Sequence, residues 1–151
     1  MTDFMSLALD EAKKAAADGE VPVGAVLVLG DSVISAAHNE REQRRSPSAH
    51  AEFLCIERAC ASLGRKTLSD CVLYVTLEPC PMCAGLILAA RVGKVVFAVP
   101  DPASGSLGSV LDLSKAPLGF SPEVERRDRP ECGRIMTEFF RKMRNASGGT
   151  K

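Results

Sequence analysis

The chain has 151 residues, a length that favours one domain around one core. Hydrophobic residues make up 46% and charged residues 25%, and no apolar run reaches the roughly 18 residues of a membrane span, which argues against an integral membrane helix. Lysine plus arginine equals aspartate plus glutamate at 19 each, so net charge gives no support for a nucleic-acid partner, although a local basic patch remains open.

Residues 4–18 carry apolar side chains at helical spacing and predict an amphipathic helix that Gly19 stops. The N-terminal stretch 1–20 lacks a basic region followed by an apolar block, so it does not resemble a signal peptide, and the expected location is cytoplasmic. Residues 23–29 and 32–37 read as a hairpin turning on Gly30-Asp31. The charged segment 40–47 reads as loop. Ser48 is placed to cap a helix over about 49–62. Residues 71–78 are apolar nearly throughout, as a central strand is, and Pro79 ends them. A second core helix follows Pro81, then a strand at 94–100 and a Gly/Ser loop at 101–109. The path of 110–125 is open, beyond a short strand suggested by 123–128. A terminal helix spans 130–144, with Pro130 at its start, and 146–151 reads as a frayed tail. Alternating strands and helices predict a single α/β domain over 1–151: a three-layer α/β/α sandwich on a mixed sheet of about five strands.

Six cysteines are too few for a disulfide scaffold. Cys55, Cys60, Cys71 and Cys132 show no metal spacing and read as small apolar packing residues. Cys80 and Cys83 differ. They lie three apart at a helix start, where the helix dipole and free amides favour thiolates. His50 begins the other core helix. If both helices cross the same end of the central strand, His50 joins the two sulfurs, and mixed sulfur and imidazole ligands select zinc. Three protein ligands with an open fourth position are the mark of a catalytic site. Two thiolates cancel the charge of the ion, so a proton acceptor beside the water would help, and Glu52 is the candidate. A redox Cys-x-x-Cys pair, and a closed structural site completed by His38, remain as alternatives at this level.

His50-Ala51-Glu52 followed by Pro79-Cys80-Pro81-Met82-Cys83 resembles the H-x-E…P-C-x-x-C signature of the zinc nucleobase deaminases. The likeness continues through "EVPVGAVLV", "LYVTLEPCPMCAG", "RVGKVVFAVPD" and "SGSLGS", and over about residues 4–144 the chain is similar to the bacterial tRNA-specific adenosine deaminases. This resemblance implies a cytidine deaminase-like fold and conversion of adenosine to inosine at the wobble position of tRNA anticodons. It implies one Zn2+ per chain on His50, Cys80 and Cys83, with a water or hydroxide as fourth ligand and Glu52 as the catalytic proton carrier. Asn39, Pro22 and Val23 would hold the base, Asp101 and Ser104 would contact flanking nucleotides, and Phe139 or Phe140 would cover the extruded base. The implied partners are the tRNA anticodon stem-loop and a second copy of the chain. Pro100 and Ala103 stand where the family often carries basic residues, which keeps a deaminase of a free base or nucleoside, such as guanine or cytosine, as the alternative.

Overall fold

The computed structural model describes residues 2–148. Helix α1 covers Phe4–Ala17; Asp3 caps it by accepting the Ser6 amide at 3.2 Å, and Gly19 ends it at φ 77°. Strands β1 (Gly24–Leu29) and β2 (Ser32–His38) form the expected hairpin. Then come α2 (Arg41–Arg44), α3 (Ala51–Leu63), β3 (Cys71–Leu77), α4 (Pro81–Ala89), β4 (Lys94–Val99), β5 (Glu123–Arg126) and α5 (Pro130–Gly148).

The five strands run in the order β2-β1-β3-β4-β5. β1 is antiparallel to β2 and β3, while β3, β4 and β5 are parallel, so the sheet is mixed and β3 is central. Side chains alternate between its faces. Leu27, Leu73, Val75, Val95 and Phe97 pack with Ile56 of α3 and Ile87 of α4. Val26, Val28, Val96 and Ala98 pack with Met5 and Leu9 of α1 and Cys132 of α5. This is the three-layer sandwich that the alternation of elements predicts. Each fully buried Leu, Ile or Met in these layers contributes about 1.5–3 kcal/mol.

Two features bear on the site. A Cβ on Gly24 would lie 2.0 Å from the Ala8 carbonyl oxygen and 2.5 Å from the Ala12 nitrogen. Only glycine lets α1 press this closely on the start of β1, and that contact fixes the preceding segment, Val21 to Val23. On the other side, Arg129 donates to both oxygens of Asp3 at 2.8 and 2.7 Å, tying the starts of α5 and α1 together and holding the Asp3 carboxyl down at about 2.

Some expectations are corrected. Segment 40–47 is not all loop, because it contains the single turn α2. Ser48 does not cap α3: its hydroxyl pairs with that of Ser46 at 3.2 Å, and the cap is His50, two residues later than expected. α5 runs on through Gly148, since Asn145, Ala146 and Ser147 are all tolerated in a helix and no glycine follows Gly133 until 148. The expected frayed tail is therefore helical from 146 to 148, and 149–151 lie outside the described residues. Residues 100–122 carry the parallel crossover from β4 to β5, with one bridge (Leu107 to Asp112) and one 3-10 turn (Leu113–Lys115) as their regular structure. Among the described residues no helix is long and apolar enough to cross a membrane.

Candidate active site

The site lies beyond the carboxyl ends of the parallel strands β3 and β4, where α/β sheets bind ligands. From Leu77 the chain passes through Glu78 and Pro79 to Cys80, the N-cap of α4, with Pro81 at the first helical turn. Cys83 sits one turn further. His50 caps α3 with an extended backbone (φ −78°, ψ 153°) and makes no side-chain bond to its own helix. Its ring turns instead to α4, with Nδ1 3.6 Å from the sulfur of Cys80 and 3.6 Å from that of Cys83. One ligand atom from each of the three residues falls within 4.8 Å of the others.

Two helix amino termini converge here, and their dipoles favour anionic sulfur. Cys80 is pushed down to about 4, chiefly by the hydrogen bond it accepts from the Cys83 thiol, with His50 and the Cys83 amide adding to it. Cys83, the donor in that pair and deeply buried, is pushed up. His50 is raised, first by its bond to Cys80. The two sulfurs thus share one proton at the place a dication would take. Metal binding at such a site releases that proton and stabilises both thiolates.

The donor set fits zinc: two sulfurs and one imidazole, in reach of one ion and opening on a cavity. His38 is not a fourth ligand; its Nδ1 bonds Glu11 Oε1 at 2.9 Å against α1. His50 facing both sulfurs, with all six cysteines free, favours the metal reading over a redox pair.

Glu52 lies in the first turn of α3, only 4% exposed. Burial pushes its carboxyl up to about 7. A dication opposite it would draw that value back down, leaving a group able to take and return a proton near neutrality. Glu52, His50 and Cys80 share a cavity of 170 Å3. Sites for drug-sized ligands run to roughly 300–1,000 Å3, so this one suits a single base.

Asn39, Val23, Asp101 and Ser104 line that cavity. The Asn39 amide is partly committed: Nδ2 donates to Val21 O at 3.2 Å and Oδ1 accepts from the Arg41 amide at 3.1 Å. One N–H and one oxygen lone pair remain for a ligand. Pro22 is buried but does not line the cavity; Val21 does, since alternate residues of this extended segment share a side. Phe140 is not brought to the cavity. It stays 38% exposed on α5, edge to face with Phe139 at 5.4 Å. Cys55, Cys71 and Cys132 are buried as expected, whereas Cys60 is only partly so.

Arg41 lines the cavity from α2 and makes no ion pair among the described residues. Two residues escaped the sequence reading. Glu20, 1% exposed, accepts the Glu42 and Gln43 amides at 3.0 and 2.8 Å, and so holds α2 in place. Glu78, 2% exposed, lines the cavity beneath the 101–109 loop.

Comparison with known proteins agrees with this geometry. The chain matches the MafB19-like deaminase family over residues 1–144. The tRNA-specific adenosine deaminase of Bacillus subtilis is 46% identical over 144 residues, covering 93% of this chain and 89% of its own length. A solved structure from a study of A-to-I editing by tRNA:A34 deaminases at the wobble position of transfer RNA superposes with a TM-score of 0.84 at 40% identity, covering 87% of this chain and 97% of that one. The guanine deaminase of Bacillus subtilis stands further off, with a TM-score of 0.63 and 29% identity over 79% of this chain and 88% of its own. The chain belongs to the MafB19-like deaminases and, among them, to the tRNA-specific adenosine deaminases.

Proposed function

We propose that the protein hydrolyses adenosine to inosine at the wobble position of tRNA anticodons. It works in the cytoplasm, as a homodimer, with one zinc ion per chain on His50, Cys80 and Cys83. The observation that carries this reading is the buried Glu52 carboxyl beside the His50, Cys80 and Cys83 cluster, in a cavity of the volume of one base.

Zinc, when bound, supplies the Lewis acidity that makes water a nucleophile at neutral pH. The chain's own groups do the rest. Val21 and Val23 form an apolar wall for the ring, and the free half of the Asn39 amide takes the polar edge of the purine. Glu52 removes a proton from the attacking water and gives it to the ring nitrogen beside C6. It then carries the water's second proton to the amine, the C6–N bond breaks, and ammonia leaves. Burial of Glu52 keeps these transfers out of bulk solvent.

Ion pairing distinguishes the basic side chains that could bind RNA. Lys94 is paired with Glu123 and Glu125, Arg44 with Glu40, and Arg141 and Lys142 with Glu138. Arg41, Arg45 and Arg144 have no ion-pair partner among the described residues. Each single-strand phosphate neutralised lowers log affinity by about 0.7 per decade of salt. Arg41 and Arg45 alone therefore give a slope of about −1.4 for anticodon stem-loop binding. Titrating a fluorescent stem-loop across a salt series measures it, and a flat response would rule out an RNA groove.

A further inference from the structure

Glu78 is a carboxylate sealed under the substrate loop with no cation beside it. Oε1 accepts from the Asp101 amide at 3.1 Å and from the Ser109 hydroxyl. Oε2 accepts from the Leu107 amide at 3.0 Å and the Ser109 amide at 3.1 Å. An ionised carboxylate offers about four lone-pair sites, so these four donors fill it. No lysine or arginine pairs with Glu78 among the described residues, and its whole compensation for burial comes from the loop. Gly105 is part of the same construction, because a Cβ there would lie 2.4 Å from the Glu78 Cδ.

The far side of the loop is complementary. Asp101 Oδ1 accepts the Ala103 and Ser104 amides at 2.9 and 3.3 Å, and Oδ2 accepts the Ser104 hydroxyl at 3.0 Å. By the same count one lone-pair site on Asp101 stays open, and Asp101 and Ser104 both line the cavity. The loop thus keeps its backbone donors on Glu78 and its remaining acceptors for the ligand.

We propose that Glu78 is a positioning residue for substrate: with its acceptor sites taken by the loop, it sets the Asp101–Ser109 loop at the height from which Asp101 and Ser104 engage the RNA beside the target base. The proposal rests on the RNA reading above. Glu78 also sits two residues before Cys80, so the rival role is support of the metal ligands.

The test is steady-state kinetics on an anticodon stem-loop with adenosine at the wobble position, using zinc-loaded parent, Glu78→Gln, Ser109→Ala and the double variant, with zinc content measured on each. Glutamine fills the same space but turns an amide NH2 toward backbone donors, so the loop loses one bond if the NH2 takes the place of Oε1 and two if it takes that of Oε2. The expected result is a rise in KM of at least about tenfold for Glu78→Gln, equivalent to about 1.4 kcal/mol, with kcat changed far less and zinc still at one per chain. Ser109→Ala raises KM by a smaller factor, and the double variant is no worse than Glu78→Gln, since both act through one set of bonds. Unchanged KM, with kcat falling in proportion to lost zinc, overturns the proposal in favour of metal support. If Glu78→Gln does not fold, Ser109→Ala decides: an unaltered KM overturns the proposal. A parent inert on the stem-loop but active on a free base overturns the RNA reading and this inference with it, whereas an active parent with indifferent variants overturns this inference alone.

Discussion

Replacing Glu52 by glutamine is expected to leave a folded, zinc-loaded protein whose deamination rate falls by at least about 100- to 10,000-fold, the range for loss of a single general acid–base. The upper end is expected, because one carboxyl serves both proton transfers. Glutamine has the same shape and keeps an oxygen in the cavity, so the loss is in kcat rather than in substrate binding. The site gives no ready substitute: of the other acidic or basic groups lining the cavity, His50 and Cys80 are committed to the metal cluster, and Glu78 and Asp101 are bonded to the 101–109 loop. Zinc content measured on the same preparation checks the result, and turnover within a few-fold of the parent would remove Glu52 from the mechanism.

Cys80→Ala is expected to abolish both zinc retention and activity. Losing even an outer-shell partner of a metal ligand costs about 10–100-fold in affinity, and losing a ligand costs more. With Cys80 gone, the Cys83 thiol loses its acceptor and the His50 ring its nearest anion. The second readout is thermal. Zinc at about 1,000 times its Kd stabilises a folded protein by roughly 4 kcal/mol, so the parent's transition rises with added zinc. The variant should melt where the chelated parent melts and should not respond to zinc. A variant that retains stoichiometric metal and full turnover would mean that the ligand set is different.

The metal cluster was legible in the sequence because its parts are local. Cys80 and Cys83 share one helical turn behind a proline, and His50 and Glu52 share another, so spacing alone places each pair. The long elements were legible for a similar reason: α1, β3 and α5 carry clear periodicity. Two of the misses share a physical source, the reach of distant side chains onto backbone groups. α2 is too short to show a period, and it is held by Glu20, more than twenty residues earlier in the chain. Glu78 bonds amides 23 to 31 residues away, and amides carry no side-chain identity to read. Ser48 has the chemistry of a cap, yet it bonds Ser46, and His50 takes the cap position with its ring turned to the sulfurs. Pro22 and Phe140 were assigned from the resemblance, which identifies residues without saying which way they face.

The protein deaminates RNA rather than a free base, and Arg41 is the one lysine or arginine among the residues lining its cavity. The most direct measurement is inosine formation in an anticodon stem-loop carrying adenosine at the wobble position, run beside free adenine, adenosine, guanine and cytosine, with Glu52→Gln as the blank. Inosine in the stem-loop, with the free bases and nucleoside unchanged, is the predicted result. Turnover of guanine or cytosine beside an inert stem-loop would contradict it, and would make the loss of basic residues at Pro100 and Ala103 the decisive feature of the chain.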